Sequence, residues 1–209
     1  MKSKVIGLWI LSLLVLCVLV SGCATLGAKG RKTVTHTLEG PKEWPSWTKN
    51  PGSRSTKDEK AFAGQSLGLW ASERSAIESA MTAAKREALH YLWGEMIDTQ
   101  VKAAMAKGGV DTEVLYTQEA EKLKEERKAK GIVRGERKDY VSRRIEEIDP
   151  DGNIKTGWQA WVLYMVPKSA MSEYAKEFMR DLSAGQKDAK AAEQIKNAIQ
   201  FVDEMFEKW

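Results

Sequence analysis

The sequence predicts an α+β domain: a small antiparallel sheet in β-α-β-β order, a long helix packed across it, and helices at the C-terminus. Three observations carry this. Two β-prone runs, residues 136–148 and 155–166, flank Asp149-Pro150-Asp151-Gly152-Asn153, a run of turn-forming residues that closes a hairpin. Apolar residues recur at helical spacing between Ile77 and Val101. Amphipathic stretches at 169–182 and 188–209 complete the chain.

The elements follow in order. Lys2 and Lys4 precede sixteen uncharged, mostly apolar residues, Val5 to Val20, and then Val20-Ser21-Gly22-Cys23. Sixteen residues fall short of the roughly 20 needed to span a bilayer and suit the apolar region of a secretory signal. The end of the run resembles the bacterial lipobox, in which small residues enter the peptidase and the cysteine thiolate accepts a diacylglycerol. Residues 1–22 are therefore expected to be a lipoprotein signal peptide, with Cys23 the lipidation site; an uncleaved signal anchor is the alternative. Ala24, where an aspartate would retain the protein in the inner membrane, implies delivery to an outer membrane, facing the periplasm. Two or more acyl chains on Cys23 give stable anchoring.

Residues 23–60 read as a lipid-anchored flexible tether. They are rich in Gly, Lys, Thr and Ser and contain Pro41, Pro45 and Pro51. As coil, they reach on the order of 35 Å. Within this segment residues 33–37 are β-prone, and Trp44 and Trp47 are expected to pack on the domain, with an aromatic ligand platform as the alternative.

The α+β domain is expected over 61–182. Its first strand is 61–68, where Gly64 signals a close backbone approach or a bulge. Ser75-Ala76-Ile77-Glu78 reads as a capping box opening a helix to about Lys107. Ile77, Met81, Ala84, Ala88, Leu92, Met96 and Val101 form its apolar stripe, Lys85, Arg86, Glu87 and Glu95 lie on its other face, and Ala80, Ala83, Ala84 and Ala88 allow close packing on a sheet. Gly108-Gly109 ends it. Residues 111–131 form a charged helical insertion of the kind held by i,i+4 pairs. In the last strand Trp158, Ala160, Val162, Tyr164 and Val166 share one face and Trp161, Leu163 and Met165 the other, so it belongs in the centre of the sheet. A helix over 169–182 presents Met171, Tyr174, Phe178 and Leu182 and breaks at Ser183-Ala184-Gly185. In the amphipathic helix over 186–209, Ala192, Ile195, Ile199, Val202, Phe206 and Trp209 alternate at 3–4 spacing. That seam either packs on its own domain or serves an envelope protein partner or self-association.

The order of lipobox, Trp44-Pro45-Ser46-Trp47, the Gly64-containing strand, the alanine-rich helix and a hairpin ending Leu163-Tyr164-Met165-Val166-Pro167 resembles the Lpp-twenty-type lipoprotein family. The domain of that family is similar to the N-terminal domain of the flagellar assembly protein FlgT. The resemblance covers about residues 44–175 and implies a compact β-α-β-β fold, an envelope or surface location and no shared catalytic residues; segment 111–131 departs from it.

Composition narrows the function classes. The chain holds 33 Lys+Arg, and loss of Lys2 and Lys4 with the leader leaves 31 against 29 Asp+Glu, too balanced for a dedicated nucleic-acid binder. Cys17 lies in the leader, so Cys23 has no disulfide partner in the mature chain. His36 and His90 lie far apart in sequence with no cysteine at metal-ligand spacing, so no metal and no cofactor is expected. No Gly-x-Ser-x-Gly, phosphate-loop or His-Glu-x-x-His motif occurs. The expectation is a non-enzymatic structural or adaptor lipoprotein of the cell envelope. The competing readings are a binding module for cell-wall glycan or a small ligand, using Trp44, Trp47, Trp70 or Trp158, and a carboxylate-pair hydrolase.

Overall fold

The computed structural model describes residues 33–131 and 133–208. Strands β1 (Val34–Glu39), β2 (Glu59–Gln65), β3 (Glu136–Ile148) and β4 (Ile154–Pro167) form one antiparallel sheet in the order β1-β3-β4-β2. The helices are α1 (Glu73–Leu92), α2 (Lys102–Lys107), α3 (Gln118–Lys130), α4 (Lys168–Gly185), α5 (Ala189–Ala198) and α6 (Val202–Glu207). The expected α+β class, the hairpin and the central position of β4 all hold.

The chain divides into two units. Among the described residues the smaller takes residues 33–36 together with Glu146–Lys155. In it Asp149 organises the hairpin turn: one carboxylate oxygen accepts from the Asp151 and Asn153 amides and the other from the Asn153 side chain, each at 2.9 Å. These bonds, the Asn153 side chain first, hold the Asp149 carboxyl below its ordinary range. Gly152 supplies the positive φ of 86° that the turn requires.

The larger unit, Thr37–Ile145 with Thr156–Trp209, holds the core. Alternation along β4 places Ala160, Val162, Tyr164 and Val166 against the helices, with Leu163 and Met165 on the opposite face. Both sets are buried, as a central strand requires. β2 pairs antiparallel with β4, Ala61 opposite Met165 and Gly64 opposite Val162. Helix α1 lies directly on β2. A Cβ at Gly64 would stand 2.1 Å from the Ala84 amide nitrogen and 2.5 Å from the Ala80 carbonyl oxygen, so this contact admits only glycine. Ala76, Ala80, Ala84 and Ala88, one per turn, are fully buried on the facing side.

Several boundaries differ from the sequence reading. The expected tether over 23–60 is built into the fold from Val34 onward: strand β1 is followed by 3-10 turns at Ser46–Thr48 and Pro51–Arg54. Trp47 is 2% exposed and covers Ala61, Leu163 and Met165 on the second face of the sheet. Ser55 Oγ accepts from the Ala61 amide at 3.0 Å, tying the segment to β2. The packing expected of Trp47 thus holds, while the polar, proline-rich composition hid the 3-10 turns and hydrogen bonds that order the rest of the segment.

Helix α1 is capped by Ser72, whose hydroxyl oxygen accepts from the Ser75 amide at 3.1 Å, and not by Ser75. The helix expected to run on to Lys107 turns at Trp93-Gly94 and continues through a π-helical turn, Ile97–Val101, into α2. Within it the Thr99 hydroxyl donates to the Glu95 carbonyl at 2.7 Å, in competition with the backbone ladder. Strand β2 stops at Gln65, before Leu67 and Gly68 of the expected 61–68 strand. Helix α4 runs through Ser183-Ala184-Gly185, where a break was expected; the buried Ser183 hydroxyl donates to the Ala192 carbonyl at 2.9 Å and fastens the turn to α5.

The last amphipathic stretch is α5, a 3-10 turn at Ile199–Phe201, and α6. Its seam residues Ile195, Val202 and Phe206 are buried in the main core; Trp209 lies outside the described residues. Ile195, Val202 and Phe206 of the seam thus pack on their own domain, with Ile199 partly buried against the same core. No helix among the described residues is long and apolar enough to cross a membrane.

Candidate functional site

The sequence-predicted modification site, Cys23, and the signal peptide over 1–22 lie outside the described residues. Within the described residues the other candidates fall in separate places.

The four tryptophans of the glycan reading do not form a platform. Trp47 is buried. Trp44 is half-buried, with the Arg143 guanidinium 4.0 Å above its ring. Trp70 and Trp158 exchange a pair of backbone hydrogen bonds, 3.0 and 2.8 Å, that extend the sheet by one bridge, and only Trp70, at 37%, is exposed. Of the histidines, His36 is exposed on β1 and His90 is exposed on α1. Among the described residues no three of His, Cys, Asp and Glu come together as a metal site.

Two polar constellations that sequence reasoning missed do form. The first joins α4 to α6. Ser172, 4% exposed, donates its hydroxyl to Asp203 at 2.5 Å, and Lys176 donates to the same carboxylate at 2.8 Å. Lys176, then Ser172, hold the Asp203 carboxyl below its usual range, and the bond to Asp203 raises the Lys176 ammonium above its own. A carboxylate held low is a weak base and an ammonium held high keeps its proton. The cluster therefore clamps two helices and does not activate the serine. Beside it, Glu204 accepts from Lys107 and Lys208, Lys107 first, which hold it down at about 2; the Lys107 bond fastens α2 to α6.

The second is a groove of about 440 Å³ lined by Thr82, Lys85, Arg86, Leu89 and His90 of α1 and by Lys128 and Gly131 at the C-terminal end of α3. Thr82, Arg86 and His90 follow one another at i,i+4 along one line of α1, with Lys85 and Leu89 on the adjacent line. Lys85 stands 5.9 Å from the Tyr164 ring centroid, and Lys128 reaches Glu125 of its own helix at 2.6 Å. The side chains of Arg86 and His90 make no hydrogen bond or ion pair with a described residue. Helix α3 is held nearby by Arg127, which donates to Glu177 at 2.9 Å and to Asp181, both on α4.

The only sequence signal for this groove was the charged outer face of α1, which read as solvated. Its second wall comes from Lys128, some 40 residues further along, in a segment that looked self-paired. Comparison with known protein families, with curated proteins and with solved structures finds no match to this chain.

Proposed function

We propose that this chain is a bacterial lipoprotein, acylated at Cys23 after removal of residues 1–22, that serves as a structural or adaptor component of the cell envelope. The observation that carries the reading is Val20-Ser21-Gly22-Cys23, placed directly after an uncharged apolar run and a short basic start. Two or more acyl chains hold such a protein at a membrane, each buried methylene contributing about 0.8 kcal/mol. Ala24 after the cysteine favours the outer membrane, facing the periplasm. We take the role to be non-enzymatic; among the described residues the buried Ser172, with its charged partner Asp203, sits in a helix clamp. Strands β2, β3 and β4 with α1 on β2 follow the β-α-β-β order that the resemblance to the Lpp-twenty-type family implies, with β1 as an added edge strand. The adaptor role needs an envelope protein neighbour, which crosslinking in intact cells would recover.

The anchor is tested by Cys23→Ser. In cells fed an alkyne fatty acid, the wild-type chain should carry the label and sediment with membranes, and the variant should lose both properties. Labelling that persists undiminished in the variant contradicts the assignment.

A further inference from the structure

The groove between α1 and the last turn of α3 concentrates Lys85, Arg86, His90 and Lys128, with no carboxylate among the described residues that line it. We propose that this groove binds a phosphate ester carrying an apolar group. The inference is independent of Cys23.

Elsewhere the larger unit pairs many of its charges. Arg74 meets Glu78, Lys122 meets Glu126, Arg127 meets Glu177 and Asp181, Lys176 meets Asp203, and Lys208 meets Glu204. In the groove the pattern stops. Lys128 alone has a carboxylate, and that is an exposed pair on its own helix, a weak interaction in water. Lys128 also faces the negative end of its helix, where a cation is favoured without any ligand. The discriminating positions are therefore Arg86 and His90, which gain nothing from the fold where they stand. Chain-wide charge is nearly balanced, so the accumulation is local.

The chemistry selects the ligand class. Arg86 offers a planar fork of donors that matches two oxygens of one phosphate, and Lys85 a compact charge beside it, while the Thr82 hydroxyl is engaged, donating to the Glu78 carbonyl at 3.0 Å. A phosphate presents several acceptor oxygens to these converging donors, where a single carboxylate presents two. Leu89, half-buried between the two basic positions, gives the groove an apolar floor, widened by the methylene stems of Lys85 and Lys128. The volume suits a small molecule or one headgroup with the start of a chain. Such a phosphate reaches the groove either as the headgroup of an anionic lipid or as a free phosphorylated metabolite.

Calorimetric titration of the full chain in neutral detergent separates these. The probes are dioctanoyl phosphatidylglycerol, glycerol 3-phosphate and, as the zwitterionic control, dioctanoyl phosphatidylcholine. Saturable binding of one of the first two is expected, stronger than the control and weakening as salt rises. R86Q should reduce affinity roughly tenfold, the loss of one charge-assisted contact. R180Q, the same charge change on α4, should reduce it less than about twofold. K85Q, at a second exposed position, should weaken binding as R86Q does and covers the case in which R86Q fails to fold. Tighter binding of phosphatidylglycerol than of glycerol 3-phosphate identifies the lipid source and use of the apolar floor; equal binding shows that the groove takes the phosphate alone and overturns the apolar part of the proposal. Absence of saturable binding to either, equal losses in R86Q and R180Q, or phosphatidylcholine binding as tightly as phosphatidylglycerol would each overturn the proposal.

Discussion

Helix α1 presents two faces built on opposite principles. Toward β2 it has one alanine per turn and meets Gly64 so closely that no side chain atom fits between the two backbones. Toward α3 it carries long cationic side chains around an open groove. The inner face is fixed by geometry and tolerates no change in volume. The outer face adds little to packing, and among the described residues Arg86 has no charged partner there, a condition that repulsion makes slightly unfavourable unless something else uses it. Residues that contribute little to stability and still cluster by chemistry are where function is to be sought.

The sharpest way to break this contrast is at Gly64. Gly64→Val should cost at least about 3 kcal/mol in urea unfolding or prevent folding, because the clash is with helix backbone that cannot rotate away. A loss below about 1 kcal/mol would mean that α1 is free to lift and that the inner face is not rigid.

A smaller effect is expected at the α4–α6 clamp. The folded pKa of Asp203 lies below its unfolded value of 3.8. Its ionised form therefore stabilises the fold above that value, and the contribution is lost as pH falls through the lower folded pKa. Asp203→Asn should narrow the difference in unfolding free energy between neutral and acidic solution by less than about 1 kcal/mol, since the carboxylate is largely solvated. An unchanged difference would remove the clamp from the account.

The smallest effect belongs to the groove. Arg86→Gln should leave unfolding within about 0.5 kcal/mol of wild type or raise stability slightly, by relieving like-charge crowding. A loss comparable to that of the inner face would show the groove to be structural.

How far these features were legible in the sequence follows the same divide. The inner face was readable in outline, because Gly64 signalled a close approach or a bulge and the alanine repeat a helix lying close to a sheet. The hairpin was readable from Asp149 to Asn153, and the central position of β4 from its two apolar faces. The segment from Val34 to Lys60 was readable only in part: its β-prone start and the packing of Trp47 were expected, but the 3-10 turns and side chain–backbone bonds that order the rest lie in a composition that resembles a linker. The turn at Gly94 and the π turn were hidden inside an unbroken apolar stripe. The groove was not legible at all: its walls are distant in sequence, and an isolated Lys-Arg pair on a helix carries no signal until the fold sets Lys128 opposite.

The proposed lipid anchor at Cys23 would set where both faces work, and one measurement addresses it directly. Intact mass spectrometry of the native chain extracted from membranes should show a polypeptide that begins at Cys23 and carries a diacylglyceryl group on its sulfur. A mass retaining Met1 and the leader, or a mature chain with a free thiol, would contradict the proposal.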